Sequence, residues 1–347
     1  MRIVIVALLL VLTLAPQGVH ANDGFAAQGV GGVTIAKTNN IAILKEVLDV
    51  SCDNIHVSYD FINESEQDED AVLMFPIPDY SAAMPETYII AQGQPADFSI
   101  TVNGKPVQYK TQVKAIDIKY ADKNRKLIKE QDVTGKLKGL GLTDKEIADF
   151  PFNTEWDSAL QQYVYKNISK IMLDALDKKG FLEKMDGQAS WINRVTYVWH
   201  QRFPAKTTVH VEHSYRPFIS EGSVAGFSEY SDFKEFCISD KQLNILQKLY
   251  ANEKRRDAYN QIHGINVKYI LTTANSWKDG IRDFKLRIHA KSKDEIVATC
   301  FPVKIEQVSD MLYEASVRNF HPKEELLVYL GNASDCNVNH GVPPDFR

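Results

Sequence analysis

The sequence has no second long apolar run, no paired-cysteine motif and no surplus of basic residues, and each absence removes a class of function. After the N-terminal leader, no stretch reaches the 18 or more uninterrupted apolar residues that a membrane-crossing helix requires. Lys and Arg total 40 against 45 Asp and Glu, a formal net charge of −5. That balance lacks the basic face of a nucleic-acid binder. None of the four cysteines lies in a C-x-x-C pair, which argues against a zinc ribbon or a thioredoxin-type redox site. The nucleophile elbow G-x-S-x-G is missing, because Gly222-Ser223 is followed by Val224 and Ala225. An S-x-x-K occurs at Ser231-Asp232-Phe233-Lys234, but there is no K-T-G partner.

What is present begins with the leader. Arg2 precedes "IVIVALLLVLTLA", thirteen residues that are apolar or small apart from Thr13. This is too short to span a bilayer, which takes about 20 residues. Pro16, Gly18 and Val19-His20-Ala21 follow with small residues where a signal peptidase reads, so residues 1–21 are expected to be removed after Ala21. The new terminus would be Asn22, which has no nucleophilic side chain, so an N-terminal nucleophile hydrolase is excluded. An exported chain with the even set Cys52, Cys237, Cys300 and Cys336 favours disulfides, for which three pairings exist. The preferred set is Cys237 with Cys300 and Cys52 with Cys336.

The pattern predicts a mainly β (α+β) fold of two antiparallel β-sandwich-like domains, with a helical connector and one additional packed helix. The first domain covers 22–118. In "NIHVSYDFIN", Ile55, Val57, Tyr59 and Phe61 alternate with His56, Ser58 and Asp60, the period of a half-buried strand. Asn103-Gly104 between two alternating segments marks a tight hairpin. Residues 119–186 read as the connector. They include a capping box at Thr143-x-x-Glu146 and a long helix from Thr154 to Gly180, whose stripe is Leu160, Val164, Ile168, Ile171 and Ala175. A β-rich domain covers 187–331, with Val209, Val211, His213 and Tyr215 on one strand face. Its helix, about 240–262, opens at Ser239-x-x-Gln242. Residues 332–347 form a polar tail.

Candidate chemistry is thin. His200, His210 and His213 lie on neighbouring strands, but positions 210 and 213 point to opposite faces and cannot share a metal without a bulge. The acidic run "NESEQDED" (63–70) could attract calcium, yet a solvated loop is expected between two strands. The cluster of Lys119, Lys123, Arg125, Lys126 and Lys129 could meet an anionic glycan or lipid, although alternating acids favour a solvated face. Asn63, Asn167 and Asn332 fall in N-x-S/T sequons. One loop stands out, "TTANSWKDGIRDF" (272–284). Trp277 either plugs the sandwich end or offers a stacking surface with Lys278, Asp279 and Arg282 at its rim. No catalytic residue, metal ligand or cofactor is assigned.

The blocks "IHVSYDFINES", "VLMFPIPD", "DFSITVNGKPV", "DVTGKLKGLGL", "YVWHQRFPAKTTVHVEHSYRP", "EFCISD" and "YILTTANSWKDGIRDFKL", taken in order, resemble the domain of unknown function 4424 family of exported bacterial proteins. The resemblance implies a Gram-negative-type envelope location, a mostly β architecture and a bridge between Cys237 and Cys300. It implies no activity. The family loop usually reads closer to T-T-G-A-N-W, whereas Ala274, Asn275 and Ser276 precede Trp277 here, and Gly24 replaces a usual Ser. Cys52 and Cys336 are particular to this chain. The expectation is a periplasmic or secreted, non-catalytic β-sandwich protein that binds an envelope protein or other envelope component. The alternatives are an envelope hydrolase using loop carboxylates and a lectin-like glycan binder using Trp277.

Overall fold

Alternation of side chains governs the architecture from the first long strands onward. The computed structural model describes residues 23–29, 32–83, 98–120, 127–150, 153–157, 159–160, 162–217, 219–224, 236–252 and 262–331. The expected leader and tail therefore lie outside the described residues, as does Cys336. In chain order the strands are β1 (Gly24–Gly29), β2 (Gly32–Ile35), β3 (Ile41–Val50), β4 (Ile55–Asn63), β5 (Glu69–Pro76), β6 (Tyr80–Ser81), β7 (Ser99–Val102), β8 (Lys105–Pro106) and β9 (Lys110–Tyr120). Ile55, Val57, Tyr59 and Phe61 of β4 are buried and the residues between them are not, as the period of two requires. Asn103 and Gly104 turn β7 into β8 with φ of 49° and 73°, the left-handed pair that a primed turn needs.

Next come β10 (Leu127–Asp132), α1 (Thr134–Gly139), α2 (Asp144–Asp149), β11 (Thr154–Asp157), β12 (Gln162–Tyr165) and α3 (Lys170–Lys178). Thr143 and Glu146 close a reciprocal capping box at the start of α2. The long helix expected from Thr154 to Gly180 is not formed. A hairpin of β11 and β12 replaces its first half, with the Asp157 carboxylate accepting from Ala159 N and Leu160 N in the turn. Asn167 then adopts φ of 62°, and Ser169 caps a shorter α3 by accepting from Met172 N. The expected stripe is not a buried face: Leu160 is 59% and Ile171 84% exposed, and Leu176 goes inward instead.

The remaining strands are β13 (Ile192–Phe203), β14 (Thr208–Tyr215), β15 (Ile219–Val224), β16 (Ile262–Tyr269), β17 (Lys278–His289), β18 (Ile296–Thr299), β19 (Glu306–Ser309), β20 (Leu312–Phe320) and β21 (Leu326–Gly331), with α4 (Asp240–Asn252) after β15. Ser239 and Gln242 exchange side-chain and backbone bonds at the start of α4, as the sequence suggested. One large sheet runs β10-β9-β13-β5-β1-β2, with β6 beside β13. The other runs β19-β20-β17-β3-β4-β14-β7-β8. A smaller sheet, β15-β16-β21-β18, carries α4 on Leu246 through Phe236, Ala298 and Tyr329.

The fold is mostly β, but its sheets do not divide at the expected connector. Strand β13 pairs with β5, β14 pairs with β4, and β17 lies parallel to β3, so segments 22–118 and 187–331 share both large sheets. Sequence order hid this, since sandwich sheets are completed by partners far apart in the chain. The inner faces meet through aromatic contacts, Phe61 with Phe203 at 5.8 Å and Phe98 stacked on Tyr197 at 3.9 Å between centroids. Each fully buried large apolar side chain contributes about 1.5–3 kcal/mol. Interdigitation across the sheets therefore dominates stability.

Cys237, just before α4, is bridged to Cys300, just after β18, with Cα atoms 5.0 Å apart. This points to an oxidising, non-cytoplasmic compartment. Cys52 is also disulfide-bonded. We expect non-reducing peptide mapping to recover Cys237 joined to Cys300 and Cys52 joined to Cys336. Free thiols at either pair, or crossed linkages, would contradict the pairing.

Candidate binding site

The centre of the molecule holds a polar contact where a β-sandwich is normally apolar. Strand β14 directs Val209, Val211, His213 and Tyr215 inward, so His213 is 1% exposed. Its Nε2 lies 2.8 Å from the carboxylate of Asp23, itself 0% exposed, just ahead of β1. Rings of Phe75, Trp199, Tyr59 and Phe98 surround the imidazole at 5.2 to 5.8 Å. Nδ1 of His213 has no hydrogen-bond partner among the described residues. Nε2 is the ring nitrogen that faces the Asp23 carboxyl and can donate to it. Burial raises the Asp23 carboxyl above the ordinary range, and the opposing pull of His213 does not cancel it. Nearby, the Tyr59 and Tyr269 hydroxyls meet at 3.0 Å, and burial pushes both well above the usual phenol range.

The Trp277 loop completes this layer. A 3-10 turn at Thr272–Ser276 delivers Trp277 inward at 3% exposure, and its Nε1 donates to the Asp23 carbonyl at 2.5 Å. Phe61 lies 4.6 Å from its ring, and Ser276 Oγ accepts from Phe25 N at 2.9 Å. Trp277 is thus a plug, and the lectin-like reading is corrected: a ring hidden in the core offers no stacking surface. Lys278 and Arg282 turn to Glu64, each at 2.6 Å, while Asp279 stays exposed at φ of 60°.

The other candidates are consumed by their neighbours. His210 and His213 do face opposite ways, and His210 Nδ1 bonds Asp60 at 2.7 Å on the outer sheet face. His200 is exposed on β13. In the acidic run, Asp68 takes Arg202 and Ala205 N, Glu66 takes Lys206, and Glu69 takes Asn40. Asn63 is buried and donates to the carbonyls of Gln67 and Phe203. Lys119 and Lys129 are paired positions in the register of β9 and β10, not positions on a helix. Lys123, Arg125, Lys126, Asn332 and Ser231–Lys234 lie outside the described residues.

A cavity of about 490 Å³ opens beside the Cys237–Cys300 bridge. It is lined by Leu271, Phe301, Val317, Phe320 and Leu326, together with the polar residues Asn319, His321, Lys323 and Glu324. Glu325 also lines it, but its carboxylate is occupied by Leu271 N, Thr272 N and Thr272 Oγ1, at 2.6 to 3.2 Å. Apolar walls with a few polar groups describe a small-ligand site. A second cleft of about 590 Å³ contains Lys136 and Lys179. These lysines stand at the C-terminal ends of α1 and α3, where a cation complements the helix dipole. The sequence reading passed over the cavity because His-Pro-Lys-Glu-Glu (321–325) looks like an ordinary polar link between strands. The one available signal was a charged pair directly after the aromatic end of β20.

Lys278 and Arg282 hold the Glu64 carboxyl below its usual range. Such a group stabilises the fold above its unfolded pKa near 4.5, and the gain disappears as pH falls through the lower folded value. Because the pairs are partly exposed, Glu64→Gln should cost only about 1 kcal/mol near neutrality. In urea titrations the gap to the parent protein should close as pH falls from 4.5 through the lower folded value. A gap that persists unchanged in acid would show that the charge is not its source.

No curated protein matches the chain. Among solved structures it is similar to a candidate nutrient binding protein from Legionella pneumophila, at 14% identity and a TM-score of 0.42, covering 90% of this chain and 70% of that one. It is also similar to an M1 zinc metallopeptidase from Deinococcus radiodurans, at 7% identity and a TM-score of 0.24, covering 86% and 44%. Neither likeness assigns a function. The family described as "Domain of unknown function (DUF4424)" matches residues 21–329, nearly the whole chain, and the protein belongs to that family.

Proposed function

We propose that the protein is an exported, non-catalytic binding protein whose cavity beside the Cys237–Cys300 bridge receives a small component of the envelope compartment. The observation that carries this reading is the apolar cavity itself, built from segments at strand ends: Leu271 after β16, Cys300 and Phe301 after β18, and the link between β20 and β21. A rigid sheet scaffold that presents connecting segments is the usual way for such folds to bind. Export is supported by the cleavable leader read at residues 1–21 and by the disulfide. The hydrolase alternative needs two working carboxylates. At this cavity Glu325 is committed to backbone and hydroxyl donors, which leaves Glu324 alone.

The test is a thermal-shift comparison of the parent protein and Val317→Trp, using the small-molecule fraction of the envelope. Val317 is half-buried and lines the cavity, so the indole should fill it from β20. A ligand at about 100 times its Kd stabilises by about 2.7 kcal/mol. The parent should gain stability and the variant should not, with matching circular dichroism before ligand is added. An equal shift in both proteins would remove the cavity from the account.

A further inference from the structure

The two disulfide-bonded regions of this protein stand in opposite surroundings. Cys52 is 2% exposed and belongs to the main core. Cys237 is exposed, Cys300 is half-buried, and both line the open cavity. The backbone at Cys237 is also held in an unfavourable conformation. Its φ is 51°, in the left-handed region that crowds a β-carbon. Asn103, Asn167, Asp279 and Asn319 share that sign of φ, but their short polar side chains tolerate it. Cys237 has no such side chain, and its bond to Cys300 fixes where it stands. Exposed or strained bridges are the ones that thiols open most readily.

What this bridge holds is the start of α4, which begins at Asp240. Beyond the bridge, α4 rests on the small sheet through Leu246, in a cluster with Phe236, Ala298 and Tyr329 that stands apart from the main core. Gln242 Nε2 adds a bond to the Val297 carbonyl at 2.8 Å. The attachment is thin. Ile245, beside Leu246, is 37% exposed, and the cluster includes the Tyr329 hydroxyl, which is buried with no hydrogen-bond partner among the described residues. A buried hydroxyl in that state is unfavourable, and undocking of the helix would relieve it.

We propose that the Cys237–Cys300 bridge is a redox latch: a dithiol oxidoreductase opens it at Cys237, and its opening releases α4 from the small sheet. This goes beyond the binding reading and needs no ligand in the cavity. A thiolate of the donor attacks Cys237 Sγ, and the bond to Cys300 breaks with its electron pair leaving on Cys300 Sγ. The second thiolate of the donor then attacks the donor sulfur of the mixed disulfide and releases Cys237. The donor ends as a disulfide. Its two electrons pass to the protein, and its two thiol protons end on Cys237 and Cys300. Because both cysteines line the cavity, the same step opens part of its wall.

The experiment treats the mature, disulfide-bonded protein with dithiothreitol in the absence of denaturant. After quenching with iodoacetamide, peptide mapping should show Cys237 and Cys300 alkylated at least about tenfold faster than Cys52. Hydrogen exchange across Asp240–Asn252 should then rise about tenfold or more while β3 and β4 stay protected. A double variant, Cys237→Ala with Cys300→Ala, should show the same fast exchange in α4 before any reductant is added, and no further rise after it. The latch is overturned if the Cys237–Cys300 bridge resists dithiothreitol for as long as that of Cys52, or if α4 keeps its protection after reduction. It is equally overturned if β3 and β4 lose protection together with α4, which would make the bridge a staple of the whole fold.

Discussion

The Asp23–His213 contact is the constraint around which the rest of the structure is arranged. It joins residues 190 positions apart and places a carboxylate and an imidazole where neither could stand alone. Removing one partner of such a buried pair typically costs about 3–5 kcal/mol, because the other remains desolvated. Its environment is built to match. Rings enclose the imidazole, the indole of Trp277 satisfies the Asp23 carbonyl, and Ser276 receives the amide of Phe25. Strand β1 is thereby fixed against β5 from its first residue.

The same segment that closes this layer also reaches the cavity. Leu271 forms part of the cavity wall, the 3-10 turn follows at once, and it ends at Ser276, with Trp277 next. Glu325, at the end of the link into β21, grips the head of that turn through Leu271 N and Thr272 N. The lining residues Lys323 and Glu324 therefore directly precede a firmly held anchor in the chain. Connecting segments held on a sheet framework are where binding is expected in a β scaffold.

Local features were legible because they are written in adjacent residues. The alternation of β4 and β14, the Asn103-Gly104 turn and the capping boxes at Thr143 and Ser239 all appear in the structure. The opposite orientation of His210 and His213 followed from strand period alone. The segment from Thr154 was misread because apolar residues spaced by four suit a hairpin and a short helix as well as one long helix. Long-range pairing was illegible in principle, since nothing in "TYVWHQRF" names "EDAVLMFP" as its neighbour. Asp23 was passed over for the same reason. An acid beside an expected cleavage site looks solvated until the histidine that buries it is brought from the far side of the chain.

The most direct test of this account is a double-mutant cycle on Asp23→Ala and His213→Phe, with unfolding free energies measured in denaturant. The account predicts that each single change is strongly destabilising and that the double variant loses at least about 2 kcal/mol less than their sum, a coupling typical of residues in one network. Additivity within about 0.5 kcal/mol would show that the two residues do not depend on each other, and would contradict the central claim.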